Sequence, residues 1–504
     1  MSDLPYHPLY IAGQWVDAAD NERFTVMEPA TGEPLATVAL AGAGDVDRAV
    51  RAARAAFDHG PWPHNPPAER AQILHAIADA LEARSAELAE LEARDCGATI
   101  RKTTFLDIPF GIEHLRTFAE LARRHPYEPL PWVDMPSVSW NFVWREPVGV
   151  CGQIIPWNFP FVMSIWKIAP ALATGNCVVI KPATLAPLST IALVRTIDAL
   201  GVLPRGVLNL VQGEGVPTGE ALVEHPGVDK IAFTGSTAVG KRVMALAANT
   251  LKRVTLELGG KSPSILMPDA DLDLAVDGVL FGAFLHAGQY CESGTRCFVP
   301  DTLHDELVSR LRARIASIRL GDPLDLQTDI GPLISEVQRQ RVEGYIALGR
   351  DEGAQLVCGG GRPQGEAFAR GPYIEPTLFA GVRNSMRLAQ EEIFGPVLAV
   401  IPYGSVTEAI ELANTSSYGL GAAIWSRDIQ AAIEVAKRVR AGTVWINDHH
   451  LLNAVAPFGG YKQSGSGREL GLSGLHAYTE EKHIHVDLIQ KRQGRLWWDA
   501  LLPE

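Results

Sequence analysis

Residues 230–241 read KIAFTGSTAVGK. Lys230-Ile231-Ala232-Phe233 is a β-rich run, and Gly235-Ser236-Thr237-Ala238-Val239-Gly240-Lys241 then opens a helix after a tight turn. A helix that starts this way offers free N–H groups and the positive end of its dipole, which suits an anion such as a phosphate. The glycine pattern is incomplete in both of its familiar forms. As GxGxxG it has Thr237 in place of the second glycine; as GxxxxGK[ST] it matches through Lys241 but has Arg242 where a hydroxyl should ligate magnesium. A strand-to-helix turn without a ligand also fits these residues.

The surroundings extend the pattern. Between Val148 and Leu266, β-rich runs (Val148–Ile155, Cys177–Ile180, Val207–Val211, Lys230–Phe233, Val254–Leu258) alternate with helical stretches near Met163–Ala173, Ser189–Leu200, Gly219–Glu224 and Ala238–Thr250. This alternation predicts an α/β fold, a doubly wound parallel sheet of nucleotide-binding type. A second α/β region runs from about Asp269 to Trp445, with a strand near Cys297–Val299 and a helix near His304–Ile318. Upstream, Leu9–Val16 alternates around an Ala12-Gly13-Gln14 turn, and helices are expected over about Gly44–Phe57 and Pro67–Asp95. The aromatic, Pro-rich Tyr127–Trp144 and the strand candidate Ile484–Leu488 fall outside both α/β regions, as an arm pairing with another subunit would.

A chain of 504 residues suggests two to four domains at roughly 150 residues each. Charged residues make up 20% and the net charge is −13, so a nucleic acid or an anionic membrane is not the expected partner. The charge-free run Pro147–Trp166 is long enough to span a membrane, but its prolines and glycines argue for buried strand, loop and helix. Residues 1–14 show no signal-peptide pattern. Six cysteines without zinc-ligand spacing imply no metal and a cytoplasmic chain with reduced thiols.

Three positions suggest chemistry. Cys291, in GQYCESGTR, has small and polar neighbours that suit an accessible thiol; a nearby helix start or cation would lower its pKa. A buried, inert thiol is the alternative, and Cys297 beside Phe298 and Val299 reads as core. Glu257 lies opposite Leu256 and Leu258 in an apolar strand, so it is paired, at an edge, or a catalytic base. Asn158, in the rigid loop PWNFP, is either packing or an amide donor aimed at an oxyanion.

Together these segments resemble the aldehyde dehydrogenase superfamily. The matches are PWNFP at 156–160, KPA at 181–183, FTGSTAVG at 233–240, LELGGKSP at 256–263, GQYCESGTR at 288–296, EEIFGPV at 391–397 and PFGGYKQSGSGRELG at 457–471. The resemblance implies NAD(P)-dependent oxidation of a small-molecule aldehyde by a homodimer or homotetramer. It makes Cys291 the nucleophile, Asn158 an oxyanion donor and Glu257 the general base, with Glu469 and Lys167 on a proton path. It places Ile155, Trp157, Lys181, Thr184, Phe233, Gly235, Ser236, Gly240, Leu258, Glu392 and Phe394 around the cofactor. It lines the substrate pocket with Phe159, Met163, Trp166, Tyr290, His450, Leu451 and Leu452, an apolar and aromatic set without Arg or Lys.

The implied fold is a Rossmann-like cofactor domain (1–129 and 149–259), an α/β catalytic domain (260–463) and a β oligomerisation arm (130–148 and 483–488). Residues 464–482 return to the cofactor domain, and 489–504 form a tail in which Trp497 and Trp498 are expected to pack on protein, at a neighbouring subunit. Thr184 departs from the pattern, since NAD-preferring members often carry Glu there; an acidic residue would repel a 2′-phosphate, so the cofactor is NAD with NADP also admitted. CoA-acylating members lack the glutamate matched by Glu257, which favours hydrolysis. A P-loop NTPase lacks its magnesium hydroxyl here, and a catalytically dead relative has no need of Cys291, Glu257 and Asn158 together.

Overall fold

Five of the β-rich runs form one parallel sheet. Across it the strands run Leu208–Leu210, Cys177–Lys181, Val150–Ile154, Lys230–Thr234, Arg253–Glu257. The chain first winds outward to one side of Val150–Ile154 and then to the other, so the strand order reverses between Val150–Ile154 and Lys230–Thr234. A crevice opens at such a switch point, beyond the carboxyl ends of the strands, and it is where doubly wound sheets bind ligands. The loops that follow these two strands carry Asn158 and Ser236. The strands are wholly buried and rich in Val and Ile, as helices on both faces require. At one edge Leu9–Ile11 and Gln14–Val16 add the expected hairpin, its turn made by Ala12 and Gly13 at φ 54° and 75°. At the other edge Gly465–Ser466 pairs antiparallel with Arg253–Glu257, returning the chain to the first domain.

The structure is a computed structural model that describes residues 4–124, 127–132, 138–493 and 495–503. Its second large sheet has seven strands in the order Gln355–Cys358, Thr377–Ala380, Val397–Tyr403, Arg296–Pro300, Pro263–Leu266, Gly421–Trp425, Thr443–Ile446. All neighbours are parallel except the first pair. Each large sheet has its own apolar core. Phe458 packs into the first core although residues 260–463 were expected to form the other domain. Among the described residues no helix is long and apolar enough to cross a membrane.

A third sheet pairs Ser139–Pro147 antiparallel with Thr479–Asp487 along nine positions, with Tyr127–Pro129 on its far side. The C-terminal strand therefore starts at Thr479, not at the expected Ile484. Of the expected arm, residues 133–137 lie outside the described residues. Two helices also differ from expectation. The one expected over Pro67–Asp95 is two, Pro67–Glu82 and Ser85–Cys96. No glycine or proline marks the break; Arg84 leaves helical geometry there and its guanidinium bonds Glu87 and, across the fold, Thr196. The helix from His304 ends at Ile315, short of Ile318.

Candidate active site

A cavity of about 210 Å³ lies at the switch point, and Asn158, Glu257 and Cys291 all line it. Cys291 follows an unusual turn in which His286, Ala287 and Gly288 have φ of 52°, 55° and 71°. Backbone held in this left-handed region is costly for a side-chain-bearing residue and is found where the surroundings enforce it. Here Gln289 supplies part of that enforcement, its side chain accepting from Ile334 N–H at 2.9 Å and donating to the His286 carbonyl at 3.1 Å. A Cβ on Gly260 would clash with the Cys291 carbonyl, so the glycine pair after Glu257 lets this loop approach the strand end. Asn158 Nδ2 donates to the Gln289 carbonyl at 2.9 Å, which commits one of its two N–H bonds. Among the described residues the Cys291 backbone N–H donates to no acceptor. Two donors therefore remain beside the thiol.

The charges that act most on the thiol are carboxylates, not the cation that would lower its pKa. Cys291 Sγ donates to Glu292 Oε2 at 2.9 Å. Burial, then the charges of Glu292 and Glu257, push the thiol well above its ordinary pKa. Glu257 is buried and its Oε1 meets no partner, so the buried ion-pair reading fails. Burial and then the charge of Glu469 raise its carboxyl well above the usual range, with Lys167 pulling it down. Behind it Lys167 Nζ bonds Glu469 Oε1 at 2.6 Å and Thr234 Oγ1 at 2.7 Å, both ends of the ion pair being buried.

The family model for the aldehyde dehydrogenase family matches residues 15–484. The chain belongs to the aldehyde dehydrogenase family. It is 48% identical over 480 residues to DhaS of Bacillus subtilis (strain 168), itself a candidate aldehyde dehydrogenase, with 95% of each chain covered. It is 44% identical to the mitochondrial aldehyde dehydrogenase of Homo sapiens, covering 96% of this chain and 92% of that one. The crystal structure of betaine aldehyde dehydrogenase from Staphylococcus aureus in complex with NAD+ superposes with a TM-score of 0.94 at 40% identity, covering 96% of both chains. The protein is thus an aldehyde dehydrogenase.

Several of the residues expected around a cofactor stand together at one end of the aldehyde dehydrogenase cavity. Trp157 and Phe394 meet edge to face at 5.3 Å. A Cβ on Gly259 would strike the Glu392 carboxylate, so this glycine admits Glu392, whose Oε1 accepts from Gly260 N–H at 3.1 Å. Burial pushes the Glu392 carboxyl up to about 7. Ser236 caps the helix Thr237–Ala247, accepting from Val239 N–H at 3.3 Å, and with Gly235 and Leu258 lines the cavity. Lys181, Thr184, Ile155, Phe233 and Gly240 are not on that wall. Lys181 Nζ and Thr184 Oγ1 instead converge on the Gly213 carbonyl at 2.6 and 2.9 Å. Lys241 bonds Gln463, so it does not serve as a P-loop lysine.

Of the expected substrate-pocket residues, Phe159, Met163, Trp166, Tyr290, His450 and Leu452 line the cavity. Leu451 does not; its side chain is exposed and its carbonyl accepts from Trp445 Nε1 at 2.7 Å. Phe110, His114 and Phe458 complete the aromatic wall, His114 accepting from Trp166 Nε1 at 2.6 Å. Three charged residues were not foreseen, one of them Glu292 next to the thiol. Arg341 reaches the wall at the Glu392 end, where it donates to the Glu392 carbonyl at 2.6 Å. Asp107 also lines the cavity and is paired with buried Lys102 at 2.5 Å. Nothing in the spacing of the early helices signals these contacts, because the fold brings them in from a distant segment.

Proposed function

We propose that this enzyme oxidises a medium-sized or bulky apolar or aromatic aldehyde to its acid by covalent catalysis at Cys291. The meeting of Cys291, Asn158 and Glu257 on one cavity wall carries this reading. Sγ adds to the aldehyde carbon, and the carbonyl electron pair moves onto oxygen. The free N–H of Asn158 and the backbone N–H of Cys291 hold that oxyanion; loss of one such donor typically costs about 10²–10³ in rate. When bound, NAD+ supplies the hydride acceptor. Glu257 then takes a proton from the water that hydrolyses the thioester, and the Lys167–Glu469 pair carries that proton onward. Glu392 and Lys181 are assigned to the cofactor ribose, and Ser236 to its pyrophosphate.

The aromatic wall supports the choice of substrate. Among the carboxylates that line the cavity, Asp107 already has its charge engaged by Lys102. A second reading rests on that same Asp107 and on the relatives named betaine aldehyde dehydrogenase: aromatic faces with a carboxylate also hold a quaternary ammonium. Thr184 offers no negative charge against a 2′-phosphate, and we assign measurable use of NADP+ on that basis. Among the described residues the nine-residue strand Thr479–Asp487 is an edge strand of the arm sheet, which supports assembly as a homodimer or a tetramer of dimers.

A steady-state panel of benzaldehyde, hexanal, betaine aldehyde and succinic semialdehyde, each with NAD+ and NADP+, tests these assignments. We expect kcat/KM for benzaldehyde or hexanal to exceed that for succinic semialdehyde by roughly tenfold or more, the scale on which apolar pockets discriminate. A preference for betaine aldehyde would select the second reading. Thr184→Glu should widen the ratio of NAD+ to NADP+; a wild-type enzyme that already rejects NADP+ by orders of magnitude would contradict the role of Thr184.

A further inference from the structure

The helix Ile108–Ala122 brings to the cavity a polar side chain that the mechanism does not use. Asp107, just before the helix, Phe110 and His114 follow at i, i+3 and i+7, the spacing of one helical face, and all three line the cavity. Asp107 is paired with Lys102, and Phe110 is apolar wall. His114 differs, because its one hydrogen bond fixes where its proton sits. Trp166 Nε1 donates to His114 Nδ1 at 2.6 Å, and an indole N–H only donates. Nδ1 therefore offers its lone pair, and the ring carries its proton on Nε2. Burial lowers the His114 pKa to about 4, so the ring keeps this neutral form at neutral pH.

No protein group takes up the Nε2 proton. Nε2 meets no acceptor among the described residues, and it is not one of the polar atoms shut away in the interior. His114 is only 1% exposed, so the sliver left accessible on the cavity wall includes that nitrogen. Asp107 is out of reach, since seven residues along a helix span about 10 Å. Neighbours restrain the ring: Phe110 stacks on it with centroids 6.2 Å apart, and Trp166 packs against it at 5.7 Å, itself met edge to face by Phe458 at 5.3 Å. A fixed N–H donor thus stands among apolar and aromatic faces. It gains from a ligand that brings an acceptor, and a pocket built to bond such a group turns away the analogue that lacks it.

We propose that His114 is a specificity-determining residue whose Nε2–H donates to an oxygen on the ring of an aromatic aldehyde, a hydroxyl or methoxy group. The aldehyde carbon is held at Cys291, and the oxygen-bearing side of the ring faces the helix Ile108–Ala122. The proposal deepens the aromatic reading given above and rests on it. The bond from Trp166 keeps the proton on the nitrogen that meets the substrate. The same geometry disfavours a quaternary ammonium at this spot, because the positive end of an N–H bond repels a cation.

Matched benzaldehydes separate this hydrogen bond from size. The 3- and 4-methoxy compounds can accept it; the 3- and 4-ethyl compounds, of nearly the same shape, cannot. The readout is the methoxy-to-ethyl ratio of kcat/KM, compared between wild type and variants so that the intrinsic reactivity of each aldehyde cancels. In His114→Asn the shorter amide keeps an acceptor near Nδ1 for Trp166 and has no donor at Nε2. In His114→Gln the longer amide places a donor at Nε2. His114→Asn should therefore lower the ratio, for at least one ring position, by roughly three- to tenfold, the scale of one neutral hydrogen bond. His114→Gln should lower it by less. An unchanged ratio at both ring positions in His114→Asn overturns the proposal. An equal fall in the two variants also overturns it, since the donor kept in His114→Gln would then count for nothing. If His114→Asn does not bind NAD+ and so has not folded, His114→Phe takes its place under the same criteria. If the wild type oxidises betaine aldehyde but none of the four benzaldehydes, the aromatic reading itself has failed and the proposal with it, a result visible before any variant is made.

Discussion

At Glu257 the chemistry needs a carboxylate, while burial favours the acid. A base whose pKa is raised gains activity as pH rises through that raised pKa. We therefore expect the hydrolytic step, measured as steady-state kcat, to climb with pH above the usual carboxylate range, and Glu257→Gln to lose that limb along with most of the rate. A variant whose pH profile matches the wild type would remove Glu257 from the step. The residues of this site differ in how far sequence displays them. Cys291, Asn158 and Glu257 stand in short, dense motifs, so they were legible before any fold. Glu292 lies in the same motif, but its partner His450 is 158 positions away in the chain. Asp107 and His114 were invisible for the same reason, since a helix face facing a cavity looks like a helix face facing a core.

Elements were legible wherever local pattern and tertiary packing agree. The parallel strands are buried on both faces and read as apolar runs, and the glycine turn marks where Thr237–Ala247 begins. The break at Arg84 was not legible, because neither glycine nor proline marks it and the Arg84 bond to Thr196 is long-range. The start of the arm strand at Thr479 was missed because Glu480, Glu481 and Lys482 look like solvent-exposed loop; on an open sheet their charged side chains face water or pair across the strands, as Lys482 does with Glu146. One buried joint makes a prediction at this scale. Asp95, on Ser85–Cys96, accepts from Leu188 N–H at 2.8 Å and so holds the first turn of Leu188–Leu200. Burial pushes its carboxyl up to about 8, against the pull of backbone N–H groups from Leu188 and Ser189. The unfolded chain releases this proton near pH 3.9, about the ordinary Asp value. Between those pH values the folded state binds the extra proton, so the contribution is intact at acid pH and is lost as pH rises to about 8. Asp95→Asn should flatten the fall of the thermal midpoint between about pH 5 and pH 8. An equal fall in both proteins would contradict the assignment.

For the whole molecule, the arm and tail are the parts least committed to either core. The tail turns back on the arm: Leu496–Ala500 forms a short helix, Arg495 bonds Asp487 at 2.8 Å, and the Arg495 guanidinium lies over the Trp498 ring at 4.6 Å. Trp497 and Trp498 stay 39% and 42% exposed, and Trp140 on the arm is 46% exposed, so apolar area remains for a second copy to cover. Truncation after Leu488 should lower the thermal midpoint or the mass seen by light scattering. A truncated enzyme with unchanged mass and midpoint would make the tail dispensable.

The account depends most on Cys291 as the covalent nucleophile. Glu257→Gln mixed rapidly with aldehyde and NAD+ should give a burst of reduced cofactor of about one per site, followed by slow turnover, with the acyl mass on the peptide containing Cys291 after quenching. Cys291→Ala should give neither burst nor adduct while still binding NAD+. Normal turnover by Cys291→Ala, or an acyl mass on any other residue, would contradict the account.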